Sequence, residues 1–269
     1  MGYKPQFELY LNDPSGFWKG KLGLSLWTTY PVWRRGTLTA GVAAYPFTNV
    51  ETSNAPLSIP VRSDFANYMK NKVLFERFLF SQMYRVPASS VFARFTAGFL
   101  ETEYAGLDVE TALPVLGGRF LLGLSGSVVK KRDAANPLLL ESDTEKGLYK
   151  TAFLNTRINF PKADISLDVK YGMFLAGDVG ARITLSKFIN GVTISAWYSL
   201  TDTSIFSDGI NNGYHDKGVS VSVPIRLFTG SDSRAVYGQG ISPWTRDVAQ
   251  DIDHFSSLFE LIGGTQMYF

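Results

Sequence analysis

Apolar and polar residues alternate along most of the chain with a period of two, the pattern of strands that carry one apolar and one polar face. From Val91 onward eight runs show it: Val91 to Phe99, Leu107 to Leu113, Phe120 to Val128, Ala152 to Phe160, Ile165 to Met173, Val179 to Leu185, Val192 to Leu200 and Val219 to Ile225. None of the 37 positions in the apolar register is charged, whereas seven of the 29 intervening ones are: Arg94, Asp108, Glu110, Arg157, Asp168, Lys170 and Arg182. At the chain's 19% charged content, about seven charges would fall in the apolar register by chance, so the two faces are segregated. Four earlier runs, Phe7 to Leu11, Lys21 to Tyr30, Thr37 to Phe47 and Val73 to Tyr84, are less regular and bring the predicted number of strands to twelve.

Alternation alone does not say whether the apolar face points into a core or out to lipid. The polar face is small and hydroxylic, with Ser195, Ser199, Ser220, Ser222, Thr184 and Thr193 beside several glycines. A soluble sheet solvates such a face with Lys and Glu, so these residues suit a lumen. The connections obey a parity rule as well. Links after even-numbered strands are short, as at Pro161 to Ala163 and Phe188 to Gly191. Each long link, Thr48 to Lys72, Lys131 to Leu148 and Thr201 to Lys217, follows an odd-numbered strand. Short turns at one rim and long loops at the other describe an up-and-down outer-membrane barrel. The pattern therefore predicts an all-β, antiparallel transmembrane β-barrel of about twelve strands over residues 1–228, followed by a tail over residues 229–269. A soluble β-sandwich or ligand-binding barrel is the competing reading. Aromatics near strand ends, such as Trp18, Trp33, Tyr45 and Tyr171, fit interface girdles or ordinary strand preference equally well.

Two segments outside the wall have helical spacing. In the first long loop, Ser63 or Asp64 is positioned to cap a short helix carrying Phe65, Tyr68 and Met69, packing on the rim or folding toward the mouth. In the tail, Val248, Ile252, Phe255, Phe259 and Ile262 step by four and three, placing them on one face of an amphipathic helix that Thr245 would start and Gly263-Gly264 would end. With an even strand number the tail leaves on the short-turn rim, where its helix would plug the barrel, pack against it or dock a partner.

Composition removes several function classes. The 269 residues include no Cys and only two His, which excludes thiolate chemistry and a His-rich metal site, and no cofactor or metal is expected. A net charge of +2 without a basic stretch leaves no electrostatic footprint for nucleic acid. No run reaches the roughly 20 apolar residues of a membrane helix. Met1 to Gln6 lacks the charged start and apolar core of a secretory signal, so either the chain is not exported or this is a mature or trimmed form.

The stretch Phe174-Leu175-Ala176-Gly177-Asp178-Val179-Gly180-Ala181 resembles the C-terminal part of the YjbH-like family, as do Asn190-Gly191-Val192 through Ala196-Trp197 and Thr201-Asp202. Tyr104-Ala105-Gly106-Leu107-Asp108-Val109-Glu110, Asp216-Lys217-Gly218-Val219 with Val223-Pro224, and Ser242-Pro243-Trp244-Thr245-Arg246-Asp247 fit the same pattern in the same order. The resemblance implies an outer-membrane barrel in an exopolysaccharide or group 4 capsule system of a Gram-negative bacterium, working with lipoprotein and periplasmic partners on a polysaccharide. Members are generally longer, with an additional N-terminal region.

The seven charged lumen-lining positions, Arg94, Asp108, Glu110, Arg157, Asp168, Lys170 and Arg182, carry a nearly neutral balance. They line a hydrated passage or pair across the lumen and fill it; twelve strands lie between filled eight-stranded barrels and open channels of sixteen or more. A diffusion porin, a closed structural barrel and an outer-membrane hydrolase are the alternatives. For the hydrolase, His215 lies between Tyr214 and Asp216 without a strand serine beside it, and Asp108 and Glu110 read as lumen lining, so no enzyme is expected.

Overall fold

The computed structural model describes residues 2–13, 16–50, 57–87, 89–142, 147–224, 236–243 and 246–266. Its strands are β1 (Gly2–Asp13), β2 (Gly16–Trp33), β3 (Gly36–Thr48), β4 (Val73–Arg85), β5 (Phe92–Phe99), β6 (Tyr104–Val115) and β7 (Phe120–Lys131). They continue with β8 (Tyr149–Phe160), β9 (Ile165–Met173), β10 (Val179–Ile189), β11 (Val192–Thr201), β12 (Lys217–Pro224) and β13 (Val236–Pro243). Each pairs antiparallel with its chain neighbours, and β1 meets β13 to complete the ring. An odd number of alternating strands leaves the first and last pointing the same way. The seam is accordingly parallel and short, joining Leu9 to Ile241, Tyr10 to Ser242 and Leu11 to Pro243.

The alternating residues divide as lipid-facing and lumen-facing sets. Leu107, Val109, Leu124, Leu154, Leu185, Leu200 and Val219 are exposed on the outer wall, whereas Arg94, Thr96, Asp108, Glu110, Ser127 and Asn155 are buried inside. This inside-out arrangement is stable only where the outer surface meets hydrocarbon, so the barrel is of the outer-membrane type. At one rim the turns are tight: Asn190 and Gly191 both take positive φ (49° and 93°), the two-residue geometry that keeps the twist of β10 and β11 continuous. Long connections at 49–72, 132–148 and 202–216 gather at the other rim.

The strand count differs from the twelve predicted. Val-Tyr-Gly-Gln-Gly-Ile-Ser-Pro, β13, alternates too weakly to be read as a strand, yet it pairs with β12 from Val219↔Ile241 to Pro224↔Val236. The wall therefore extends past the expected boundary at residue 228 and ends at Pro243. Because thirteen is odd, β13 delivers the chain to the long-loop rim and not to the short-turn rim expected from an even count.

In the first long loop, Phe65–Lys70 form a 3-10 helix, preceded by Asp64, which makes no side-chain cap. Tyr68 and Met69 are buried with Ala43, Tyr45 and Leu74, so this loop folds into the barrel mouth.

The tail re-enters the lumen from the long-loop rim. The single helix expected over Val248 to Ile262 does not form; residues 246–257 are irregular and only α1 (Leu258–Gln266) is helical. Loops already use the backbone groups that helix formation would need. The Ala249 N–H donates to Asp178 Oδ2 (2.8 Å), the Gln250 carbonyl accepts from Leu175 N–H (2.8 Å), and Ala249 itself sits at φ 55°. Ser257 starts α1, its carbonyl accepting the Leu261 N–H (3.0 Å), and α1 runs on through the Gly263-Gly264 pair expected to end it. Thr245, the expected cap, lies outside the described residues.

Candidate functional site

The site is the lumen, and its contents are the chain's own side chains. Arg94 on β5 stands directly opposite Glu110 on β6, and the two pair. Arg157 on β8 likewise opposes Asp168 on β9, with Nε 2.6 Å from Oδ1. Lys170 and Arg182 are opposed across β9 and β10, a like-charge pair that alone would be destabilising. Each is neutralised from outside the wall: Lys170 Nζ reaches Asp251 Oδ2 in the tail (2.5 Å), and Arg182 reaches Asp216 Oδ2 (2.7 Å) and the Ala249 carbonyl (2.6 Å). Asp108 accepts a hydrogen bond from Ser127 Oγ (2.7 Å) and faces His254 of the tail.

The tail is anchored most firmly near the loop rim. Asp247, fully buried, accepts N–H bonds from Val61 (2.8 Å), Arg62 (2.8 Å) and Ser63 (2.9 Å), the Ser63 hydroxyl (2.8 Å) and Asn211 Nδ2 (3.1 Å). Arg62 in turn bridges Glu103 (2.7 Å), Glu101 (2.8 Å) and the Asp251 carbonyl (2.7 Å). Burial works against the guanidinium charge, but the two carboxylates outweigh it and hold the Arg62 pKa well above its usual value. Burial likewise pushes the Glu103 carboxyl up to about 7, against the pull of Arg62 and Lys131. Val248, Ala249, Phe153, Phe174 and Phe206 form an apolar cluster around this anchor, and Ile252 joins Val61, Leu100, Tyr104, Val129 and Leu175 in another.

Deeper in the barrel the hold is lighter. Phe255 stacks edge-on with Trp27 (5.6 Å) and lies under the Arg77 guanidinium (4.8 Å). Glu110 accepts from the Ser257 hydroxyl (3.1 Å) and the Leu258 N–H (3.2 Å), placing a carboxylate at the start of α1, where the helix dipole favours it. Leu258 packs on Ala112 and Leu121, with Phe259 and Ile262 beside them. Gly123 allows this approach, since a Cβ there would come within 2.9 Å of the Phe259 ring.

The tail leaves two cavities. One of about 740 Å³ lies against β1–β4 and is bordered by Trp27, Arg77, Glu101 and Phe255. The other, about 480 Å³, runs along β8–β12 and is walled by Ser166, Thr184, Ser186, Thr193, Ser195 and Ser220. His254 borders both.

Residues 1–263 match the family described as exopolysaccharide biosynthesis protein YbjH. The chain belongs to the YjbH family. A lipoprotein, YjbH of Escherichia coli (strain K12), is 26% identical over 278 residues, which cover 98% of this chain and 38% of that protein. This YjbH-family chain thus spans well under half the length of that curated relative. Among solved structures, OmpT, an outer-membrane protein of Vibrio cholerae folded in vitro, aligns with a TM-score of 0.35 and 10% identity over 95% of this chain and 91% of that chain.

In this YjbH-family barrel four of the seven strand charges pair with one another, while Lys170, Arg182 and Asp108 meet Asp251, Asp216 and His254, partners that periodicity does not mark, and Asp247 anchors the tail beside them. The available signal was density, since Asp247, Asp251, Asp253 and His254 fall within eight residues. Ser257 and Glu260 also have the spacing of a helix-start capping box. His215 lies against the Tyr198 ring (5.7 Å).

Proposed function

We propose that the chain is a plugged barrel of the Gram-negative outer membrane that supports a polar passage for the polymer in an exopolysaccharide or capsule secretion system, without catalysis of its own. The observation that carries this reading is the hydroxyl-rich cavity between the tail and β8–β12. A polysaccharide presents many hydroxyls, and small Ser and Thr side chains exchange hydrogen bonds with them without creating a deep well. Arg157, Lys170 and Arg182 border the same space, but Asp168, Asp251 and Asp216 neutralise them, so the wall does not grip a charged polymer. Passage requires the tail to move, because residues 246–257 and α1, which packs on β5–β7, lie inside the lumen. Periplasmic or lipoprotein partners would supply the force that moves it, and the outer wall needs only lipid.

A closed structural barrel that anchors such partners is the second reading, favoured by the dense ion-paired filling near the loop rim. Single-channel recording in planar bilayers separates the two. The expected result is small or absent conductance from the full chain and clear steps from a chain ended at Pro243. Silence from both forms, each shown to be folded, refutes the passage and leaves the anchoring role.

A further inference from the structure

We propose that Asp108, Glu110 and His254 form a transition-metal site that pins the tail to β6. Asp108 and Glu110 are two residues apart on one strand and so project from the same face. His254 comes down on them from the tail, and the three side chains offer ligand atoms that all lie within 4.8 Å of one another. The His254 Nδ1 to Asp108 Oδ2 distance is 3.4 Å, beyond the usual range of an N–H···O hydrogen bond. It equals the spacing, roughly 3.4 Å, of two ligands each about 2.1 Å from a tetrahedral ion.

The independent sign is Asp108 itself. It is 2% exposed, and its Oδ2, aimed at His254, has no hydrogen-bond partner. A buried carboxylate oxygen of this kind is costly unless a cation meets it. The surroundings supply the outer contacts that ligands need. Ser127 Oγ donates to the other Asp108 oxygen (2.7 Å), and Arg94, Ser257 Oγ and the Leu258 N–H hold Glu110. The second ring nitrogen of His254 lies 3.9 Å from the Asp251 carboxylate, which Lys170 Nζ holds at 2.5 Å.

One imidazole and two carboxylates form a donor set for Zn²⁺, Mn²⁺ or Fe²⁺, whereas Ca²⁺ and Mg²⁺ favour all-oxygen cages. Water would complete the coordination. The consequence is mechanical: the ion would tie the tail to the wall just above α1. This holds whether or not a polymer passes through the lumen.

The test uses the full chain folded in detergent micelles and stripped with a chelator, with Co²⁺ as a spectroscopic probe and Zn²⁺ as competitor. We expect one equivalent of Co²⁺ to bind with ligand-field absorption and to be displaced by Zn²⁺. His254→Gln and Asp108→Asn, both close in size to the native residues, should abolish it. His215→Ala, which changes the other histidine, should leave it intact, and Ser127→Ala should weaken it roughly 10- to 100-fold. Zn²⁺ should also slow proteolysis of the tail in the unaltered chain. Absence of saturable uptake by the unaltered chain overturns the site and makes the His254–Asp108 contact an ion pair with a protonated imidazole. Equal uptake by folded His254→Gln overturns it as well.

Discussion

Asp247 holds Ser63 at both of its donors, the backbone N–H at 2.9 Å from Oδ1 and the hydroxyl at 2.8 Å from Oδ2. The two residues are 184 positions apart, and this contact joins the tail to the first long loop. Val61 and Arg62 donate to the same oxygen, so one carboxylate satisfies three consecutive backbone groups of a segment without regular structure of its own.

Removing that carboxylate strands several buried donors at once, each costing about 1–3 kcal/mol, though not additively. Asp247→Ala should lower barrel stability by about 3 kcal/mol, seen as an earlier unfolding transition in urea. Limited proteolysis should cut the 246–257 segment faster. An unchanged transition would mean that the apolar cluster around Val248 holds the tail by itself.

The Glu103 carboxyl is raised to about 7 by burial, from an ordinary 4.5. In the folded state it binds its proton more tightly than in the unfolded chain, so its contribution is complete below about pH 4.5 and is lost as pH rises to about 7. The contribution is at most about 3 kcal/mol. Thermal unfolding measured from pH 4 to 8 should show a decline in that window, and Glu103→Gln should flatten it. A Glu103→Gln profile that falls as steeply as the unaltered one would assign the decline to another group.

Arg94 and Glu110 are buried opposite one another, and Glu110 also receives the start of α1. Glu110→Ala leaves a buried guanidinium unpaired, an effect of about 3–5 kcal/mol for such pairs. Replacing both, Arg94→Met with Glu110→Leu, removes the stranded charge and should recover much of the loss. Urea unfolding of the single and double variants gives the comparison. A double variant no better than the single one would show that the contacts to Ser257 and Leu258 dominate.

How much of this was legible follows from what each part depends on. The wall depends on a local period, and residues such as Leu107, Asp108, Val109 and Glu110 declare their faces one by one. β13 escapes because Gly238 and Gly240 leave its pattern blank, and it is held by pairing to β12. The tail misleads for a different reason. Val248, Ile252 and Phe255 do recur at helical spacing, but Val248 and Ile252 bury against loops while Phe255 meets Trp27 and Arg77. Spacing cannot reveal that Asp178 and Leu175 have claimed the backbone between them. The partners of Lys170 and Arg182 were invisible for the same reason, since Asp251 and Asp216 reach them only through the tertiary fold.

The assignment of the outer wall to lipid makes a sharper demand on two positions that face opposite sides of the wall. Leu154, midway along β8, is 50% exposed on the outer face, whereas Thr184 on β10 borders the hydroxyl-lined cavity. A lysine on the lipid face near the bilayer midplane costs about 2–4 kcal/mol, because its charge must leave water or drag water with it. In the lumen a lysine keeps its solvent and a set of polar neighbours. Leu154→Lys should therefore fold poorly into phosphatidylcholine vesicles, with stability reduced by that amount, while Thr184→Lys should change it by less than about 1 kcal/mol. A soluble barrel gives a different result, since a lysine at an already exposed position would then be neutral or would improve solubility. Equal tolerance of the two substitutions in vesicles would contradict a lipid-facing wall, whatever the lumen contains.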